Sequence, residues 1–207
     1  MNHSYIDLYN IKSVLDIGAN VGQFALEVLT QHPNIYILCI EANRECEFSL
    51  QNVGLNYIIA CPSDKKDTRK FYKRTNEPRC SGNSLYLENT HYFSEDNVTV
   101  ELVDTDTMDA ILTAHRADTV AFDMIKLDTQ GSELDILKGC NAVLKSAKLV
   151  LVETDVNQYN IGCPTQKDVV EYLNSVGFVQ IDVVEKHYHD CKLSQEDILF
   201  GKRDILI

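Results

Sequence analysis

No C-x-x-C pair occurs among the seven cysteines (Cys39, Cys46, Cys61, Cys80, Cys140, Cys163 and Cys191), and their odd number is at variance with a closed disulfide framework. They fall mostly inside apolar periodic segments, as reduced core thiols do, which points to a cytoplasmic protein. Positive charge is scarce. Nineteen Lys and Arg face 31 Asp and Glu, and a formal net charge of −12 repels a polyphosphate backbone, so nucleic acid is not the expected partner. No apolar run approaches membrane-spanning length, and the N-terminus shows no basic segment leading into an apolar stretch, so neither a membrane span nor a secretory leader is expected. No internal repeat and no linker rich in Pro, Gly or Ser divides the 207 residues, and one domain over residues 1–207 is the expectation.

The dinucleotide fingerprint G-x-G-x-x-G is also missing. In its place stands Asp16-Ile17-Gly18-Ala19-Asn20-Val21-Gly22, directly behind the apolar Val14-Leu15. This is a strand, a glycine turn and a helix start, and such a turn lets backbone approach a cofactor. Glu41 follows about twenty residues later at the end of a second apolar run, where an acid meets the ribose hydroxyls of an adenosine. Three non-glycines separate Gly18 from Gly22, so the crowded pyrophosphate turn is not reproduced. S-adenosylmethionine fits the spacing better than NAD, which leaves an NAD-dependent oxidoreductase as the alternative enzyme. A non-catalytic S-adenosylmethionine-binding module is a further one.

Apolar runs alternate with amphipathic windows: strand 13–17, helix 22–31, strand 35–40, helix 44–53, strand 57–61. This βαβα order implies a parallel sheet. Val21, Phe24, Ala25 and Val28 share one face of the first helix, and Cys46, Leu50 and Val53 one face of the second, with Asn43 as its cap. Residues 98–103 read as a later strand. Residues 121–127 and 149–152 are apolar enough for central strands covered on both faces. Between them Ser132-Glu133-Leu134-Asp135 resembles a capping box, and Gly139 is a natural stop. Thr165-Gln166-Lys167-Asp168 opens another helix with a stripe of Val169, Tyr172, Leu173 and Val176. Gly177 closes it before strand 178–184, and 197–200 is expected to complete the sheet. The texture changes at 64–97, a polar, hairpin-like excursion. Lys65, Lys66, Arg69, Lys70, Lys73, Arg74 and Arg79 there outnumber Asp67 and Glu77, a contrast that would draw an anionic acceptor if it is not simply a solvated face.

Two segments carry a family resemblance: Asp16 to Phe24 (DIGANVGQF), and Ile125-Lys126-Leu127-Asp128-Thr129-Gln130-Gly131-Ser132-Glu133-Leu134-Asp135-Ile136-Leu137-Lys138-Gly139. Together with Ser81-Gly82-Asn83-Ser84-Leu85 and the strand ending at Glu153, they resemble the FkbM family of S-adenosylmethionine-dependent methyltransferases. The resemblance implies a three-layer αβα, Rossmann-like class I methyltransferase fold, with a mainly parallel seven-stranded sheet and an antiparallel last strand. It implies O-methylation of a small-molecule or saccharide acceptor. Asp16, Gly18, Ala19, Asn20 and Gly22 would hold the methionine end of the cofactor, Glu41 and Ala42 the ribose, and Ala60 and Cys61 the adenine. The chain departs from the family's commoner form at Ile40-Glu41-Ala42 and at Gln130, where an acid is frequent. It also starts close to its first strand, with little room for a lid helix.

The chemistry should sit outside the carboxyl ends of the strands. Lys126 and Asp128 are two apart and share one strand face, and a lysine there needs Asp128, Glu153 or ligand as partner. Asp128 is the leading candidate for general base, Glu153 the second, and Lys126 an electrostatic organiser. Asp128 and Glu153 would also suit a divalent cation that acidifies a hydroxyl. Glu133 reads as an acid favouring a helix start. His187 and His189 alternate beside Tyr188 and read as surface residues near a pocket rim.

Overall fold

The computed structural model describes residues 3–205. In chain order the elements are α1 (Tyr5–Leu8), β1 (Ser13–Ile17), α2 (Gln23–Gln31), β2 (Tyr36–Glu41), α3 (Glu47–Asn52), β3 (Asn56–Ile59), β4 (Cys61–Ser63) and β5 (Asp67–Arg74). They continue with β6 (Val98–Thr107), α4 (Met108–Ala114), β7 (Met124–Leu127), α5 (Glu133–Lys138), α6 (Asn141–Ser146), β8 (Leu149–Asp155), α7 (Gln166–Ser175), β9 (Phe178–His189) and β10 (Lys192–Lys202). Seven strands form one sheet in the order β3-β2-β1-β7-β8-β10-β9. The first five are mutually parallel, and β10, the last in sequence, runs antiparallel to both neighbours. This is the class I methyltransferase topology that the resemblance implies.

The central strands are apolar along their whole length because helices cover both faces. Strand alternation sends Leu15, Ile17, Ile125, Leu127, Val150 and Val152 into one core cluster, shared with residues of α4–α7. Val14, Met124, Leu149 and Leu151 enter a second cluster, shared with residues of α1–α3. The amphipathic readings hold for Ala25 and Val28 in α2, Cys46 and Leu50 before and in α3, and Val169 and Leu173 in α7. Val53 and Val176 are exposed, because each is the residue at which its helix unwinds. Asn43 accepts from the Glu45 amide, and Thr165 with Asp168 completes a capping box.

Three expectations need correction. The strand expected at 57–61 breaks at Ala60: Asn56–Ile59 stays in the main sheet, and Cys61–Ser63 opens a second, three-stranded sheet of order β4-β6-β5. The strand expected at 98–103 runs on to Thr107 and belongs to that small sheet, paired antiparallel with the whole of β5 through residues 98–105. The polar excursion is therefore hairpin-like, but its second arm lies beyond residue 97. Its arm β5 carries no apolar alternation because only Phe71 is buried there, and pairing with β6 holds the strand instead. Finally, Ser132 makes no capping bond. Glu133 turns back and accepts from the Thr129 and Gly131 amides at 2.8 and 3.0 Å, tying down the loop in front of α5. A short α1 does precede the first strand, packing Tyr5 and Ile6 into the second cluster.

Phe178 is fully buried in the first cluster, so Phe178→Ala should cost about 3–5 kcal/mol of unfolding free energy. Phe48→Ala, at a position 69% exposed, should stay within about 0.5 kcal/mol. Urea titrations followed by circular dichroism measure both.

Candidate active site

β1 is flanked by β2 on one side and β7 on the other, so the chain leaves β1 in opposite directions and a crevice opens at the carboxyl ends of these strands. Gly18 sits at its base with φ +82°. A Cβ there would lie 1.8 Å from the Asp128 carbonyl oxygen, so only glycine lets the β1 turn cross the end of β7. The Gly18 and Ala19 amides both donate to the Ile40 carbonyl at the end of β2. Three strand ends are thereby fastened together.

A cavity opens above this junction. Gly18, Asn20, Glu41, Ala42, Cys61 and Asp128 line it together with the loop residues Ser81, Asn83, Ser84 and Leu85. Glu41 is buried, and each of its oxygens takes one backbone amide at 2.7 Å, Oε2 from Asn20 and Oε1 from Asn43. Burial pushes its carboxyl above the ordinary value, and the two amides pull it part of the way back. The loop carrying Ser81 is clamped over the end of β7 by Ser84 Oγ, within 2.8 Å of both the Thr129 and Gln130 carbonyls. Two further cavities adjoin. One is lined by Gly18, Ala19, Asn20, Phe24, Lys126 and Glu153 among others, and the second by Gln130, Glu153, Tyr159, His187, His189 and Gln195 among others. Ser81 and Asp128 line all three.

Strand alternation places Asp16, Lys126, Asp128 and Glu153 on one face of the sheet, the face of the second core cluster. Asp16 and Lys126 are register partners. Lys126 Nζ lies 3.1 Å from Asp128 Oδ2 and 3.5 Å from Asp16 Oδ1, and 5.3 Å from the centroid of the Phe24 ring. Burial would lower the Lys126 ammonium, but Asp128 and Asp16 together hold it above its ordinary value. Burial would raise Asp128, yet the Lys126 charge and donors from Lys126 and Gln130 bring it below the usual carboxylate range. Asp16 is wholly buried and displaced upward by that burial, with Lys126 as the opposing charge. Glu153 stands well above its ordinary value because it is buried and faces the charges of Asp128, Asp197 and Glu133. Its Oε2 accepts from Gln130 and Gln195 at 2.6 and 2.8 Å, while Oε1 faces His187 Nε2 at 3.9 Å.

The structure brings Gly18, Ala19, Asn20, Glu41, Ala42, Cys61, Lys126, Asp128 and Glu153 to these cavities. It does not bring Asp16, Gly22 or Ala60. Asp16 lies beneath Lys126 and lines no cavity, so it acts on the site through that lysine. Gly22 takes φ +89° before α2, where a Cβ would lie 2.4 Å from Leu55, and its role is packing. Ala60 packs on the first core cluster at the point where the chain changes sheets. Asp128 Oδ2 accepts from Lys126 and Oδ1 from Gln130, so both of its oxygens have protein partners. The basic residues of 65–79 line none of these cavities. Three of them are paired with acids, Arg69 with Asp135, Lys73 with Glu101 and Arg74 with Glu77. Sequence reasoning missed Glu185, Gln195 and Asp197, which line the cavities from β9 and β10. The alternation of Glu185, His187 and His189 was a signal, but the register that sets Asp197 opposite Glu185 was not legible.

Comparison with known proteins agrees with this architecture. The family model described as the Methyltransferase FkbM domain matches residues 16–179, and the chain belongs to this methyltransferase family. No curated protein matches the sequence. Among solved structures, the chain is similar to precorrin-6y C5,15-methyltransferase from Geobacter metallireducens GS-15, with 14% identity and TM-score 0.50, covering 96% of this chain and 84% of that one. It is also similar to magnesium protoporphyrin IX methyltransferase from Synechocystis PCC 6803 with bound S-adenosylmethionine, with 8% identity and TM-score 0.52, covering 96% and 76%. An S-adenosylmethionine-dependent methyltransferase from Clostridium acetobutylicum ATCC 824 matches at 11% identity and TM-score 0.51, covering 96% and 88%. At these identities the likeness is one of fold.

Two measurements probe the charge balance. Lys126→Met leaves Asp16 buried without its counter-charge and should cost about 3–5 kcal/mol, whereas the double variant with Asp16→Asn should recover much of the loss in a urea titration. Burial raises the Glu133 carboxyl from 4.5 to about 7 against the amides that stabilise its charge. A folded-state value above the unfolded one means that ionisation opposes folding, so this group's contribution declines as pH rises from about 4.5 to 7. Carbon-detected NMR should show a glutamate carboxyl titrating near neutrality that is absent from Glu133→Gln.

Proposed function

We propose that this FkbM-family chain transfers the methyl group of S-adenosylmethionine to a hydroxyl oxygen of a small, polyhydroxylated acceptor such as a saccharide. The observation that carries the reading is the meeting of three cavities at Ser81 and Asp128. A nucleoside-shaped site, a site for an amino-acid tail and a polar acceptor site share one point, and a methyl group in transit has to pass through such a point.

Each residue has a physical task in this reading. Glu41 presents two oxygens whose amide bonds from Asn20 and Asn43 fix their direction, so ribose hydroxyls donate to a carboxylate that cannot swing away. Cys61, Leu85 and Ile136 supply the apolar walls that suit an adenine ring. Ala19 and Asn20, in the turn before α2, border the space for the methionine tail. The trio Asp16, Lys126 and Asp128 carries a net charge of −1 where the cofactor's sulfonium and ammonium are cationic. When bound, S-adenosylmethionine supplies an electrophilic methyl carbon, and the new C–O bond forms as the C–S bond breaks, leaving the electron pair on sulfur.

The acceptor hydroxyl loses its proton as its oxygen becomes positively charged, so an already ionised carboxylate is a sufficient acceptor for it. Asp128 meets that requirement, since Lys126 keeps it ionised and it borders all three cavities. Glu153, Gln130 and Gln195 form the polar wall on which hydroxyl groups dock. The acid-rich lining favours a neutral acceptor over an anionic one. NAD lacks a comparable pyrophosphate turn here, and family membership puts the chain among methyltransferases.

Calorimetry should detect S-adenosylhomocysteine binding and no NAD binding, and Glu41→Ala should weaken the former about tenfold or more, equivalent to at least about 1.4 kcal/mol. With an acceptor identified from a panel of sugars, polyols and phenols, Asp128→Asn should reduce kcat by about 10²-fold or more while homocysteine-product binding stays within about threefold. Methylation confined to nitrogen acceptors would overturn the O-methylation reading.

A further inference from the structure

Where the β9–β10 hairpin meets β8, Glu153, His187 and Asp197 each turn one ligand atom to a common point, and these atoms lie within 4.8 Å of one another. His187 Nε2 is enclosed and has no hydrogen-bond partner. It stands 3.5 Å from Asp197 Oδ2 and 3.9 Å from Glu153 Oε1, too far for a well-formed hydrogen bond to either. Those separations suit a shared ion instead: a cation bound at about 2.0–2.2 Å to each atom sets its ligands about 3–4 Å apart. A single proton on Nε2 cannot satisfy both carboxylates at these distances.

Two further features favour a cation. The amides of Gln130 and Gln195 both hold Glu153 Oε2, which leaves Oε1 fixed toward His187, as outer-layer donors fix a ligating carboxylate. The adjoining cavity is lined by the acids Glu27, Asp128, Glu153, Glu185 and Asp197 against Lys126, which is already occupied with Asp16 and Asp128. Three of these acids, Glu153, Glu185 and Asp197, belong to the strands β8–β10 that carry His187.

We propose that Glu153, His187 and Asp197 bind a divalent transition-metal ion of the Mn²⁺ type, with its remaining coordination positions open to the acceptor cavity. One imidazole and two carboxylates form a mixed donor set that suits such an ion better than one preferring only oxygen. Building on the O-methylation reading, the ion narrows the acceptor to molecules offering two adjacent oxygens, such as a vicinal diol, which chelate it. One chelated hydroxyl is polarised and presented beside Asp128.

The test needs neither cofactor nor acceptor. Full-length protein freed of metal by chelation and dialysis is titrated with Mn²⁺ and followed by electron paramagnetic resonance. One equivalent should bind, with an imidazole nitrogen coupling in the echo-modulation spectrum. His187→Ala should abolish that coupling and weaken binding at least tenfold, and Asp197→Asn should weaken it similarly with the coupling retained. His115→Ala, at an exposed position after α4, should change neither. Thermal melts confirm that each variant is folded, and His187, only partly buried, keeps the test open if Asp197→Asn does not fold. Absence of stoichiometric Mn²⁺ binding, or binding indifferent to His187→Ala, overturns the site. Calorimetry with S-adenosylhomocysteine on the same metal-free protein reports separately on the methyltransferase reading, since cofactor binding there does not require the ion.

Discussion

Lys126 is the charge on which the rest of the site depends. It is almost completely buried, and a buried ammonium is tolerated only where opposite charges surround it. The sequence provides these through two independent routes. Parallel register sets Asp16 of β1 beside Lys126 of β7, and strand alternation sets Asp128 two residues further along the same face. Removing Lys126 leaves two carboxylates without their counter-charge, so the cluster fixes the relative positions of the β1 and β7 ends more firmly than apolar packing alone. That fixed spacing is what the crevice requires.

Backbone contacts carry this order outward. Gly18 lets the β1 turn touch the Asp128 carbonyl, while the Gly18 and Ala19 amides hold the end of β2. Asn20 and Asn43, on different turns, share the carboxylate of Glu41. Ser84 joins the long loop after β5 to the turn after β7, and Glu133 closes that turn from below. Segments as far apart in sequence as Gly18 and Asp128 thus meet without relying on a single flexible element, so the cavities are preorganised by the protein itself.

The parts of this arrangement that depend on local periodicity were legible in the sequence. The β1-turn-α2 unit, Glu41 at the end of β2, the continuous apolar β7 and β8, and Lys126 with Asp128 on one face follow from patterns within about thirty residues. What depends on pairing between distant segments was not legible. Nothing in the charged run Asp67–Arg74 signals a strand, because β6 supplies its stability. Asp197 and Gln195 reach the site only through the register of β10 against β8 and β9, which contains bulges that shift the alternation. Asp16 was identifiable as a site residue, but its concealment beneath Lys126 required the third dimension. The capping-box pattern at Ser132 failed for a different reason: the left-handed backbone at Gln130 and Gly131 turns the Thr129 and Gly131 amides toward Glu133, which outcompetes the serine.

The negative lining raises a question about catalysis that the geometry answers. Carboxylates that only stabilise a sulfonium bind the reactant better than the transition state, in which that positive charge is dispersing, and such binding does not accelerate transfer. The charge does not vanish as the methyl group moves; it develops on the acceptor oxygen. A negative field therefore helps in proportion to how much stronger it is at the acceptor than at the sulfur. Asp16 and Lys126 largely cancel one another on the cofactor side, whereas on the other side of Asp128 the acids Glu153, Glu185 and Asp197 face His187 as their cationic neighbour. In the proposed methyl transfer, a buried lysine that screens Asp128 from the cofactor side alone would favour movement of the positive charge toward the acceptor over its retention at sulfur.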